Sequence, residues 1–129
     1  MSTERDRVGP LASISIDCLD TDQLATFYSH LLGIEEAFAT ADRGVICLAG
    51  AGPMLTVMRV SAYTAPSWPE GPQRQQFHLD VAVEDLESAV SAATALGARM
   101  AEHQPAPDRW RVLIDPAGHP FCLSTVRPD

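Results

Sequence analysis

His78 and Cys122 are the residues of this chain whose types most invite chemistry. An imidazole and a thiolate can together bind zinc, or a base can activate the sulfur as a nucleophile. His78 stands in "QFHLDVAV" and Cys122 in "VLIDPAGHPFCLS", both short runs of strand character. Zinc needs at least a third protein donor, and Asp80, Asp17 and Ser15 are the candidates if they share a face with the pair. His78 is also the candidate for a catalytic acid or base. The plain alternative is that Cys122 fills space as a small apolar residue while His78 bonds locally. One His and one Cys do not make the paired spacing of a zinc motif.

The remaining polar residues imply less. His119 follows Gly118 in an Asp-Pro-Ala-Gly turn, where polar groups serve geometry, and Asp115 is expected to tie that turn through its side-chain oxygens. His30 and His103 have no partner implied. The chain has no Gly-rich phosphate loop and no nucleophile elbow.

The elements that would position these residues occur twice. "LASISIDCL" alternates as a half-buried strand, and "DTDQLATFYSHLLG" places Leu24, Phe27, Tyr28, Leu31 and Leu32 on one helical stripe. Short strands follow in "IEEAFA", "RGVICLA" and "PMLTVMRV". The stretch "SAYTAPSWPEGPQRQ" breaks all periodicity and reads as a Pro-rich linker over 61–75. Then the order restarts: "QFHLDVAV" as a strand, "DLESAVSAATALG" as a helix, and strands in "ARMAEH", "RWRVLID" and "HPFCLSTV".

Each half thus reads strand-helix-strand-strand-strand, one over 11–60 and one over 76–126, within a single domain of 129 residues. Asp20 and Asp85 open the two helices 65 residues apart, and the same offset carries His78 onto Ser13. The turn glycines Gly52 and Gly118 lie 66 apart, which carries Cys122 onto Thr56, or onto Met58 if the first hairpin is two residues longer. The predicted fold class is α+β, two βαβββ modules whose eight strands make a cupped surface. Alternation sends Ile14, Ile16, Leu79, Val81, Phe121 and Leu123 toward the helices.

Composition is that of a globular chain, with 46% hydrophobic and 20% charged residues. A net charge of −8 with no basic cluster argues against nucleic acid as a partner. No apolar run is long enough to cross a bilayer, and "MSTERDRVGP" is too polar for a secretory signal, so a cytoplasmic location is expected. Three cysteines without CxxC spacing read as reduced thiols.

Together, "DTDQLATFYSHLLG", "HLDVAVEDLESAVSAATALGA" and "LIDPAGHPFCL" resemble the vicinal oxygen chelate superfamily of glyoxalases, bleomycin-resistance proteins and extradiol dioxygenases, above all its small bacterial glyoxalase-like members. The resemblance runs from about Ala12 to Val126 and implies paired βαβββ modules and a homodimer. It also implies that metal ligands, where a member has them, come from the first and last strand of each module. Those positions here are Ser13, Thr56, His78 and Cys122. Cys122 stands where a Glu is expected, and neutral hydroxyls bind divalent ions weakly.

The expectation is therefore a glyoxalase-like protein without a complete metal site or cofactor, binding a small organic molecule in the cup. Ser13, Ser15, Asp17, Met54, Thr56, Met58, His78, Asp80 and Cys122 are its expected lining, with Trp68 and Trp110 adding flat apolar surface. Two alternatives stand beside it. One is a lyase, isomerase or dioxygenase that uses a divalent metal; the other is an interaction module whose cup a partner closes.

Overall fold

The structure is a computed structural model that describes residues 8–126. The element order is β1 (Ser13–Cys18), α1 (Thr21–Leu32), β2 (Glu35–Ala39), β3 (Val45–Ala49), β4 (Met54–Arg59), β5 (Leu79–Ala82), α2 (Leu86–Ala95), β6 (Arg99–Met100), β7 (Trp110–Ile114) and β8 (Pro120–Ser124). This is the duplicated βαβββ order. It forms two four-stranded sheets, β1-β4-β3-β2 and β5-β8-β7-β6. In each, the first strand runs parallel to the last of its module and the other pairings are antiparallel.

The helices begin where side chains can take up their free N–H groups. Asp20 accepts from the Gln23 N–H at 3.0 Å, and Asp85 accepts from the Glu87 N–H at 3.2 Å. Helix α1 ends at Gly33, whose φ of 65° suits a residue without Cβ.

Strand alternation sets the core. Leu55, Val57, Ile46 and Leu48 of the first sheet and Leu113, Phe121 and Leu123 of the second are buried in one cluster with Leu24, Phe27 and Tyr28 of α1. The cluster spans both modules, because the rings of Phe27 and Tyr28 meet Phe121 edge-on at 5.8 and 6.3 Å.

A buried polar tie accompanies that contact. The Tyr28 hydroxyl donates to Asp115 Oδ2 at 2.6 Å, while Asp115 Oδ1 accepts the N–H groups of Ala117 and His119. The turn-forming role expected for Asp115 is thus present, with an added bond to the other module. His119 extends the connection: its Nε2 lies 2.6 Å from the Asp17 carbonyl and 3.0 Å from the Tyr63 hydroxyl.

Two strands of the second module are shorter than alternation predicts. "QFHLDVAV" pairs only over Leu79–Ala82, which leaves His78 just ahead of β5. β6 is two residues long because the Gln104 amide takes over the ladder beyond it. Its Nε2 donates to the carbonyls of Ala101 and Val112, and its Oε1 accepts from the Val112 N–H at 2.8 Å. Among the described residues no helix is long and apolar enough to cross a membrane.

Candidate functional site

The face of the second sheet turned away from α2 carries Trp110 and Val112 of β7, Cys122 and Ser124 of β8, and Asp80 of β5. Parallel register places Asp80 directly opposite Cys122, and antiparallel register places Val112 on the other side of Cys122. His78, two residues before Asp80, falls on the same face. His78 Nε2 stands 3.2 Å from Asp80 Oδ1. A donor atom of each of His78, Asp80 and Cys122 lies within 4.8 Å of the other two. The sequence proposed the His–Cys pair and named Asp80 among three possible third donors; these are the three that converge.

Their environments differ. Cys122 is buried, while His78 and Asp80 are exposed. Burial, reinforced by the Asp80 carboxylate, pushes the Cys122 thiol up to about 11. Without a cation the sulfur is therefore a protonated thiol at neutral pH and a poor nucleophile.

These three residues line a cavity of about 480 Å³, a size suited to a small organic ligand. Trp110, Val112 and Pro120 add apolar wall from the sheet. Trp68 and Gln75 also line it, so the linker folds over this face as a wall. Gln75 carried no sequence signal of function. The only hint for the segment was a tryptophan amid prolines, where a flexible connector would carry small polar residues.

The first-module residues expected in the same cup lie elsewhere. Ser13, Ser15 and Asp17 of β1 stand opposite Met54, Thr56 and Met58 of β4, on the face of the first sheet away from the core. None of the six is among the residues lining the cavity. Each sheet completes its ladder within its own module, and the two modules meet through the shared core, with Phe27 and Tyr28 against Phe121. Ser13 Oγ and Thr56 Oγ1 bond to each other at 2.6 Å, and Thr56 also reaches Cys47 Sγ at 3.5 Å. The positions related by duplication to His78 and Cys122 thus hold a paired set of uncharged groups.

Comparison with known proteins agrees with the fold. Residues 13–124 match the family described as the glyoxalase-like domain. No curated protein matches the sequence. Among solved structures, the chain is similar to a glyoxalase/bleomycin resistance protein/dioxygenase family enzyme from Burkholderia phytofirmans PsJN. That likeness has 17% identity, covers 89% of this chain and 97% of the other, and has a TM-score of 0.66. It is also similar to a variant of the fosfomycin resistance protein FosX from Listeria monocytogenes, complexed with Mn(II) and 1S,2S-dihydroxypropylphosphonic acid. There the identity is 18%, with 94% and 92% covered and a TM-score of 0.69. TioX from Micromonospora sp. ML1 follows at 18% identity, 90% and 98% covered, and a TM-score of 0.60.

Proposed function

Since the chain belongs to the glyoxalase-like domain family, we propose that it binds a small organic molecule in the second-module cavity beside a divalent cation held by His78, Asp80 and Cys122. The observation that carries this reading is the convergence of one nitrogen, one carboxylate and one sulfur donor within 4.8 Å. The donor set fits zinc. Tetrahedral bonds of about 2.0–2.1 Å to nitrogen and oxygen put those ligands roughly 3.3 Å apart, and His78 and Asp80 already stand at 3.2 Å. A thiolate with an imidazole selects zinc-like ions over magnesium or calcium.

Three protein donors leave a coordination position open. A cation bound there would polarise a ligand oxygen, as metal-dependent lyases, isomerases and dioxygenases require. His78 and Asp80 are the exposed members, so they face the incoming molecule, while Cys122 closes the floor. The phosphonate bound to FosX is an anion; no Lys or Arg lines the cavity here, which supports a different ligand for this chain.

A second reading, a cation-free binding protein anchored by His78, is favoured by one feature. His78 and Asp80 pair directly, and the Cys122 thiol keeps its proton to about 11, so the three groups can satisfy one another without an ion.

Homodimerisation is part of the proposal, since Phe38 and Met58 leave apolar surface exposed on the outer face of the first sheet. A cytoplasmic location is supported by three free thiols, Cys18, Cys47 and Cys122.

The test is cobalt and zinc titration of chelator-stripped protein. Near-equimolar Co(II) with a thiolate charge-transfer band is expected. Cys122→Ser should abolish the band, and His78→Ala should weaken zinc binding at least tenfold. Absence of stoichiometric binding in the wild type would reject the cation and leave the second reading.

A further inference from the structure

The linker is folded rather than loose. Ser67 and Arg74 form a bridge, the Ser67 N–H donates to the Gln73 carbonyl at 3.0 Å, and the Gln73 N–H returns to Ser67 Oγ at 3.2 Å. This brings Trp68 and Gln75 to the same cavity wall. Trp68 packs with Trp110 on a small cluster that includes Val112 and Cys122, apart from the main core. His103 meets the Trp68 ring at 5.5 Å, the two planes inclined at 45°.

From this wall we infer that the cavity recognises a flat, uncharged aromatic or heteroaromatic ring bearing an N–H or O–H donor, with Trp68 and Trp110 contacting the ring and Gln75 accepting from it. The inference rests on the reading of the cavity as a ligand site, and it names the class of ligand.

Three observations carry it. First, two half-buried indoles with Pro105, Val112 and Pro120 supply broad apolar surface, which suits a ring better than a polar chain. Second, Asp80 is the cavity's carboxylate and no Lys or Arg lines it, so an anion would meet repulsion without a counter-charge from the walls. A cation at the floor would alter charge there and leave the indole wall unchanged. Third, Gln75 Oε1 is the one buried side-chain nitrogen or oxygen among the described residues that has no hydrogen-bond partner. A buried carbonyl without a donor is unfavourable, and Gln75 lines the cavity, so a turn of its amide can present that oxygen to a donor on the ring.

Indole, 1-methylindole and propylphosphonate separate these contributions, because methylation removes the N–H donor while keeping the ring, and the phosphonate supplies charge without a ring. Each is titrated by calorimetry into chelator-stripped and zinc-loaded protein, and located by the amide shifts of Val112 and Cys122. Indole is expected to bind in both forms, roughly five- to tenfold more tightly than 1-methylindole, with propylphosphonate weakest in the chelator-stripped form. Gln75→Leu should erase the difference between the two indoles. Trp68→Ala should weaken both by roughly tenfold. Two results overturn the inference while keeping the cavity: equal affinity for the two indoles, or preference for propylphosphonate in chelator-stripped protein, with shifts at Val112 and Cys122 in either case. Indole that shifts neither residue overturns the inference and the cavity reading together, while zinc titration judges the cation separately.

Discussion

Asp80 and Cys122 face each other across the parallel β5–β8 ladder, a carboxylate directly opposite a buried thiol. The carboxylate adds to the cost of ionising the buried thiol, so the pair is poised to accept a positive charge between them. Burial and the carboxylate hold the Cys122 thiol near 11, against an ordinary value of 9.0.

Alkylation of Cys122 by iodoacetamide, followed by peptide mapping, should accordingly be slow at pH 8 and accelerate toward pH 11. Asp80→Asn should move that profile to lower pH. The same shift has a stability consequence. Because the folded value is raised, the protonated thiol favours the folded state; that stabilisation is complete below pH 9 and is lost as pH rises from 9 to 11. Cys18, also raised to about 11, chiefly by burial, acts in the same direction. Cys122→Ser should flatten part of this alkaline loss in urea unfolding. An unchanged profile in Asp80→Asn would show that the carboxylate does not act on the sulfur.

Tyr28→Phe should destabilise the protein by about 1–3 kcal/mol, the cost of leaving a buried acceptor without its donor. The Asp115 side chain is only 3% exposed, so water cannot readily replace the hydroxyl. Urea unfolding of the variant measures this, and a loss below about 0.5 kcal/mol would show that the tie between modules is dispensable. Burial and the Asp115 carboxylate also push the Tyr28 hydroxyl well above its usual range, so its ultraviolet titration should begin only as the fold is lost in alkali.

Light scattering should give a dimer at micromolar concentration. Phe38 and Met58, 57% and 37% exposed on the outer face of the first sheet, mark where a second copy would sit. Phe38→Asp combined with Met58→Asp should then yield monomer with unchanged helical circular dichroism. A wild-type protein that is monomeric throughout this range would refute the assembly.

The duplicated order was readable because its signals are local. Asp20 and Asp85 cap helices, Gly33 ends one, and alternation in "SISIDC" and "PFCLS" assigns each side chain a face. The same alternation put Asp80 and Cys122 on one surface. Periodicity could not tell whether the faces of the two modules join. That depends on sheet-to-sheet placement, fixed by contacts such as Tyr28 with Asp115, 87 residues apart. Hence Ser13 and Thr56 were expected beside His78, yet they bond to each other on the other sheet. The early end of β6 was hidden for a related reason: the Gln104 side chain imitates backbone, which no strand pattern records. Gln75 lay in a segment defined by its lack of pattern, where only the apolar ring of Trp68 pointed to the cavity.

The folded linker has a practical side for anyone wishing to cut, tag or permute this chain. A Pro-rich connector between two repeats is ordinarily the natural place to insert a reporter or split a protein into complementing fragments. Here the segment from Ser67 to Gln75 carries part of the cavity wall. A break inside it would spare the caps, the sheets and the Tyr28–Asp115 tie, so the halves could still associate and pass every assay of folding. They would meet with the wall of their pocket torn. The safer opening is the exposed turn at Gly52, between β3 and β4 of the first module, which contributes no residue to the cavity.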